Sequence, residues 1–113
     1  MDIQGVTPVL PVDDIKAAVA VWSGLLGVQP TFVDGEAWAQ FDVAGKRIAL
    51  AGTDRASDLA GLMMKVADVD SAREAALRLG LEAGPVQVGG HELRCTITAP
   101  GGWPVVLYAP KPK

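Results

Sequence analysis

Few side chains in this sequence belong to the types that catalyse reactions or bind metals. His91 is the one histidine and Cys95 the one cysteine, and four positions separate them. His91 follows Gly89-Gly90 at a predicted hairpin, so an exposed turn residue and a lone general base are both open interpretations. Cys95 alternates with Leu93 and Ile97, which indicates a buried thiol with little nucleophilic character.

The acidic residues do not form a convincing acid–base pair. Asp14 and Asp68 each precede an amphipathic segment, which is typical of helix N-caps. Asp42 and Glu36 have no second carboxylate at a suitable spacing. An enzyme built from this sequence would therefore have to use less usual groups, such as Arg94, His91 or Glu92.

The three tryptophans have different predicted surroundings. Trp22 falls on the apolar stripe of a helix and is expected in the core. Trp38 shares one strand face with Gln40 and Asp42, so it faces either a ligand cleft or the outside of the sheet. Trp103 lies at the last hairpin, where a ligand site and a dimer contact are equal alternatives.

Composition limits the class of protein. The 113 residues (11.7 kDa) suffice for one domain, and 50% hydrophobic with 20% charged residues excludes a disordered chain. A net charge of −3 argues against a nucleic-acid binder. One cysteine excludes an intramolecular disulfide. No signal peptide and no apolar stretch of about 18 residues is evident, so we expect a cytoplasmic protein without a membrane partner.

Hydrophobic periodicity predicts the elements that must position these residues. Helices are expected from Ile15 to Leu26, ending at Gly27, and after Asp68, with Val69, Ala72, Ala76 and Leu79 inward and Gly80 as the end. Asp34-Gly35 predicts a two-residue hairpin turn, and further turns are expected at Ala44-Gly45, Gly89-Gly90 and Gly101-Gly102. Strands are predicted at residues 6–12, 28–33, 36–43, 46–51, 59–66, 81–88 (broken at Gly84-Pro85), 91–98 and 103–109.

The predicted elements repeat as two βαβββ modules, residues 6–51 and 59–109, joined by a polar linker within one domain. Val12-Asp13-Asp14-Ile15 and Val66-Ala67-Asp68-Val69 lie 54 positions apart, and glycines recur in the same order in both halves. Such a repeat indicates an internal duplication. The expected architecture is α+β, with a curved mixed sheet around a cleft and the helices outside.

These features resemble the vicinal oxygen chelate superfamily, which includes glyoxalase I, extradiol dioxygenases, fosfomycin-resistance transferases and bleomycin-resistance proteins. The resemblance rests on residues 8–15 leading into a helix that ends Leu25-Leu26-Gly27, on residues 66–72 with Leu79-Gly80, and on residues 100–107. It covers nearly the whole chain and implies the glyoxalase/bleomycin-resistance fold. It does not by itself imply an activity.

Metal-dependent members of that superfamily carry ligands at four strand positions. In this sequence the resemblance assigns those positions to Thr7, Gly61, Ala49 and Val106. First-row divalent metals need imidazole, thiolate or carboxylate donors, which none of these residues has. We therefore expect neither a metal nor another cofactor.

The resemblance, combined with strand alternation, predicts the residues that line the cleft. Arg94 and Thr96 share one face of their strand and correspond to Trp38 and Gln40 of the other module. An apolar or aromatic ligand would contact the following residues: Thr7, Trp38, Gln40, Met63, Arg94, Thr96, Trp103, Val106 and Tyr108. Arg94 would suit a ligand carboxylate.

The leading hypothesis is a metal-independent small-molecule binding protein that sequesters an antibiotic or other apolar or aromatic natural product. The alternatives are a lyase, isomerase or epimerase with non-standard catalytic residues, and an accessory subunit without a ligand. A homodimer is expected, with the modules paired within one chain or exchanged between chains.

Overall fold

The computed structural model describes residues 1–112 and confirms an α+β protein with a mixed sheet. Neither helix in this part of the chain is long and apolar enough to cross a membrane. The elements, in chain order, are β1 (Ile3–Pro11), α1 (Ile15–Leu26), β2 (Phe32–Asp34), β3 (Trp38–Val43), β4 (Lys46–Ala51), β5 (Gly61–Val66), α2 (Val69–Arg78), β6 (Glu82–Ala83), β7 (Gln87–Val88), β8 (Glu92–Ala99) and β9 (Trp103–Pro110).

The chain divides into two compact units. The first unit is Thr7–Ala60, and the second unit is Met1–Val6 together with the residues from Gly61 onward. Within the first unit the strand order is β2-β3-β4-β1. Within the second unit it is β1-β5-β9-β8-β6, with β7 also paired to β8, so β1 contributes its first residues to one unit and its last to the other.

Helix α1 covers one face of the first unit's strands. The Asp14 side chain accepts a hydrogen bond from the Ala17 N–H at 3.0 Å, and Gly27 ends the helix in the left-handed region (φ 73°). The buried cluster beneath the helix contains Ile15, Phe41 and Leu50, against which Trp22 packs. The predicted cap, helix end and core position of Trp22 are therefore confirmed.

Two local predictions for the first unit are wrong. The strand expected at residues 28–33 is reduced to β2, because Pro30 has no N–H to donate to a sheet. The turn after Asp34 has three loop residues: Asp34 pairs with Trp38, and the Ala37 N–H donates to the Asp34 carbonyl at 2.8 Å. The Ala44-Gly45 turn is confirmed, since both residues have positive φ and Val43 pairs with Lys46.

Arg55 anchors the linker to the first unit. Its Nε donates to the Gly52 carbonyl at 2.6 Å, and a second guanidinium nitrogen donates to the Val12 carbonyl. Charged donors on carbonyl acceptors form strong hydrogen bonds. The polar segment after β4 is thus irregular, as predicted, but it is fixed at this point.

Helix α2 covers one face of the second unit. Asp68 caps it by accepting from the N–H groups of Asp70 and Ser71, and Val69, Ala72 and Ala76 are buried. The prediction that Leu79 points inward is wrong, because Leu79 is 74% exposed. The helix ends at Arg78, and the chain turns at Gly80 (φ 83°), so Leu81 takes the core position that the helical period assigned to Leu79.

The two units repeat the same arrangement. Each contains a parallel pair whose first strand leads into a helix capped by aspartate, and the caps are Asp14 and Asp68. Val9 pairs with Ala49 in the first unit and Met63 with Val106 in the second. The parallel pairing of the strands therefore repeats in the two units. The predicted break at Gly84-Pro85 is also confirmed, since it separates β6 from β7.

Candidate functional site

One face of the second unit's sheet lies opposite its helix-covered core. Val66, Cys95, Leu107 and their alternating neighbours form that core with α2. The residues between them therefore belong to the other face. This second face, called here the open face, carries Met63 and Lys65 of β5, Val106 and Tyr108 of β9, and Arg94 and Thr96 of β8.

Strand register orders the open face into two rows. Met63 pairs with Val106, and Val106 pairs with Thr96, so these three side chains lie side by side across β5, β9 and β8. Directly paired residues on one face have Cβ atoms about 5 Å apart. Five predicted site residues, Met63, Arg94, Thr96, Val106 and Tyr108, are thereby brought together within one unit.

The second row consists of Lys65, Tyr108 and Arg94, so a cation lies on each side of the tyrosine. Lys65 pairs with Tyr108, and Tyr108 pairs with Arg94. Gln87 of β7 extends this row beyond Arg94. The Arg94 Nε donates to Glu92 Oε1 at 2.5 Å, and the Arg94 side chain is 31% exposed. The row thus combines an aromatic hydroxyl with two cations and one carboxylate.

The first unit has an equivalent face opposite α1. Trp38 and Gln40 lie on it, and the Trp38 Nε1–H donates to Gln40 Oε1 at 3.4 Å. Trp38 pairs with Ala51, and Gln40 pairs with Ala49, as Arg94 pairs with Tyr108 and Thr96 with Val106 in the second unit. Ala39 and Phe41 occupy the opposite, fully buried side, so the predicted alternation of β3 is confirmed.

Asp42 and Arg47 form an ion pair on the same side of the first unit. Arg47 donates to both Asp42 oxygens, at 2.8 and 3.3 Å, and the Thr31 hydroxyl donates to Oδ2 at 2.8 Å. The hydrogen bonds from Arg47, and then from Thr31, hold the pKa of Asp42 below its usual value. Arg47 and Thr31 therefore favour the ionised form of the Asp42 carboxylate.

Trp103 does not join the other predicted site residues. It has the same parity along β9 as Val105 and Leu107, so it lies on the α2 side of the sheet and not on the open face. It is 57% exposed, and its Nε1 lies beside Gly101 of the adjacent turn. Trp103, predicted to contact a ligand or a dimer partner from the last hairpin, therefore does not share the strand face of Val106 and Tyr108. Thr7 lies on β1 and is buried, with 7% exposure.

The four strand positions that the resemblance assigns to metal ligands do not fit a divalent metal. Thr7, Ala49, Gly61 and Val106 offer one hydroxyl and no imidazole, thiolate or carboxylate. A Cβ atom at Gly61 would lie 2.1 Å from the Pro104 carbonyl oxygen, so no ligating side chain fits there. Within residues 1–112 no three His, Cys, Asp or Glu side chains cluster as a metal site would require.

His91 lies in a loop, and Cys95 lies in the core of the second unit. His91 is exposed in the loop before β8. Cys95 is 1% exposed, and its thiol donates to the Gly84 carbonyl at 3.4 Å. Burial raises the pKa of the Cys95 thiol, which Arg73 offsets only in part.

Lys65 of the open face and Gln87, which pairs with Arg94, were not among the predicted ligand contacts. Strand alternation predicts that Lys65 shares a face with Met63. That Lys65 lies next to Tyr108 follows only from the pairing of β5 with β9, which the sequence does not reveal. Gln87 could not be assigned a face because the interruption at Gly84-Pro85 resets the alternation before β7.

The sequence matches no family model and no curated protein. Solved structures do resemble the chain. A Legionella pneumophila protein described as an NAD-dependent benzaldehyde dehydrogenase has a TM-score of 0.83 at 14% identity, over 94% of this chain and 99% of that one. A glyoxalase/bleomycin resistance protein/dioxygenase superfamily member from Vibrio splendidus 12B01 has a TM-score of 0.71 at 13% identity, over 95% and 98%.

Methylmalonyl-CoA epimerase from Mycobacterium tuberculosis has a TM-score of 0.62 at 20% identity, over 98% of this chain and 89% of that chain. At these identities the likeness concerns the fold. The chain therefore has the glyoxalase/bleomycin-resistance fold that the sequence predicted, and its activity has to be argued from its own side chains.

Proposed function

We propose that this protein binds a small, partly apolar molecule without a metal, and that the open face of the second unit supplies the contacts. The observation that carries the proposal is the row Met63–Val106–Thr96 beside the row Lys65–Tyr108–Arg94. None of these six residues is fully buried or fully exposed. Apolar walls with a few convergent polar groups are typical of ligand sites.

The chemistry of the open face favours a ligand with a flat or apolar body. Tyr108 offers an aromatic surface, and Met63 is a flexible, polarizable side chain that adapts to irregular shapes. Trp38, Gln40 and Thr7 are proposed as ligand contacts within the first unit itself. Sequestration of an antibiotic or other aromatic natural product is the specific form of this proposal.

The absence of metal donors at the four strand positions supports a metal-independent role. Gly61 and Ala49 have no donor atoms in their side chains, and the Thr7 hydroxyl alone does not hold a divalent metal. The polar groups of the open face are suited to orient a ligand through hydrogen bonds and charge.

The experiment is a ligand screen with a matched pair of variants. Thermal shift against aromatic natural products, including glycopeptide antibiotics, identifies ligands, and isothermal titration calorimetry measures their dissociation constants. Val106→Glu places a charge on the apolar row, whereas Val88→Glu changes a valine that is 72% exposed on β7. We expect Val106→Glu to weaken binding at least tenfold and Val88→Glu to leave it unchanged.

Two results would contradict the proposal. One is a screen in which no compound stabilises the protein. The other is a ligand whose affinity is the same for Val106→Glu as for the unaltered chain, provided that circular dichroism shows both variants to be folded.

An enzymatic role is the second candidate, favoured by the structural likeness to an epimerase. Glu92 and Arg94 form an ion pair next to Tyr108, where they would act on an acidic C–H group of a ligand. Deuterium exchange into methylmalonyl-CoA, followed by NMR, tests this role. Exchange that Glu92→Gln abolishes would support it, and no exchange above the buffer rate would exclude that substrate.

A homodimer is proposed as the assembly. Sedimentation equilibrium gives the molar mass directly. A mass near 23 kDa, twice the 11.7 kDa of the chain, would agree with a dimer, and a mass near 11.7 kDa at all concentrations would contradict it.

A further inference from the structure

We propose that the ligand of the open face is an oxyanion, with a carboxylate as the simplest form, and that Lys65 and Arg94 bind its charged group on either side of Tyr108. This inference rests on the proposed binding function and specifies the chemical class of the ligand. It adds Lys65 as a binding residue.

The register fixes the relative positions of the two cations. Lys65 and Arg94 both pair with Tyr108, from opposite sides, and all three lie on one face. Neighbouring strands are about 4.8 Å apart, so the two cationic residues start about 10 Å apart on the sheet. Side chains of this length can both reach a group that lies above the Tyr108 ring.

The surroundings of Lys65 favour an external partner for its charge. Lys65 is partly buried, and within residues 1–112 it makes no ion pair or side-chain hydrogen bond. A Cβ atom at Gly5 would be 3.9 Å from the Lys65 Cβ, so glycine leaves the side of the lysine stem uncovered. A partly desolvated ammonium gains more from an anion than one in bulk water does.

The charge balance of the row points in the same direction. Glu92 neutralises one cation through its contact with the Arg94 Nε at 2.5 Å. Lys65 has no such carboxylate among residues 1–112, so its ammonium is the charge of this row that an anionic ligand would pair with. A ligand carboxylate beside Tyr108 would also reduce the repulsion between Lys65 and Arg94.

The adjacent apolar row determines what the acidic group is attached to. Val106 and Met63 lie two positions earlier along β9 and β5 than Tyr108 and Lys65, and Gly61 has no side chain beyond Met63. An apolar or aromatic body would cover these residues while its carboxylate meets Lys65. The inferred class is accordingly an aromatic or aliphatic carboxylic acid of small size.

Matched acids and amides test this inference. Isothermal titration calorimetry compares benzoate, 1-naphthoate and indole-3-acetate with their primary amides, in EDTA and at low ionic strength. We expect at least one acid to bind on the order of tenfold more tightly than its amide, because an ionised partner strengthens each hydrogen bond. Lys65→Gln should remove that preference, while the exposed Lys46→Gln of β4 should retain it.

The outcomes separate this inference from the proposed function. Amides that bind as tightly as acids would overturn the inference and leave small-molecule binding intact. An acid preference that survives Lys65→Gln would also overturn it. No binding by either set, together with a negative ligand screen, would contradict the proposed function and the inference with it.

Discussion

Gly61→Ala is predicted to destabilise the protein strongly, because the space a methyl group needs is occupied by backbone. A Cβ atom there would lie 2.1 Å from the Pro104 carbonyl oxygen and 2.9 Å from Pro104 Cγ, whereas real Cβ contacts stay beyond 3.0 Å. Relief requires β5 and β9 to separate by about 0.9 Å at this point. Overpacking of this kind costs about 3 kcal/mol when the neighbour cannot rotate away.

The expected loss is a large share of the total stability of a small domain, which is about 5–15 kcal/mol. It corresponds to a fall in Tm of roughly 10–20 °C. Gly24→Ala is the matched control, because nothing lies within 4 Å of the added methyl group in α1. Alanine in a helix should stabilise the control by about 0.5–1 kcal/mol. Urea denaturation followed by circular dichroism measures the stability of both variants, and equal midpoints would contradict the predicted clash at Gly61.

Three further predictions concern individual side chains. Because the pKa of Asp42 is lowered in the folded protein, its ionised carboxylate contributes fully to stability above the ordinary pKa of 3.8, and this contribution is lost as the pH falls through the lower pKa of the folded state. Arg47→Gln should raise the pKa of Asp42 in a carboxyl-detected NMR titration. An unchanged pKa would contradict the assignment of the shift to Arg47. The buried Cys95 thiol, with its raised pKa, should react with a thiol reagent at pH 8 only as fast as the protein opens, so a rate that does not rise in mild urea would contradict its burial. Asp14→Ala and Asp68→Ala should each lower the free energy of unfolding by about 1 kcal/mol through loss of an N-cap, measured by urea midpoints, and no loss in either variant would contradict the capping assignment.

Local signals predicted the parts of the fold that depend on neighbours in sequence. Asp14 and Asp68 cap helices, and Gly27 and Gly80 end them in the left-handed region, because each is a property of a few consecutive residues. The prediction for Leu79 failed because helical period continues in the sequence after the helix itself has stopped.

From the sequence, the candidate site could be predicted only as far as which residues share a face of one strand. Alternation assigned Arg94 and Thr96 to the face opposite Cys95 and Ile97, as the structure has them. Trp103 was predicted to contact a ligand because it lies in the last hairpin. Its alternation with Pro104 and Val106 along β9 puts it instead on the face that carries Val105. The row of Lys65, Tyr108 and Arg94 required the register between three strands, which is a tertiary property.

We propose that small-molecule binding by this protein needs no metal. Isothermal titration of the best ligand from the screen, in EDTA and then with added Zn²⁺, Ni²⁺, Mn²⁺ or Fe²⁺, tests it most directly. We predict the same dissociation constant under all conditions. Binding that disappears in EDTA and returns with one of these ions would contradict the claim and identify a metal site outside the four strand positions.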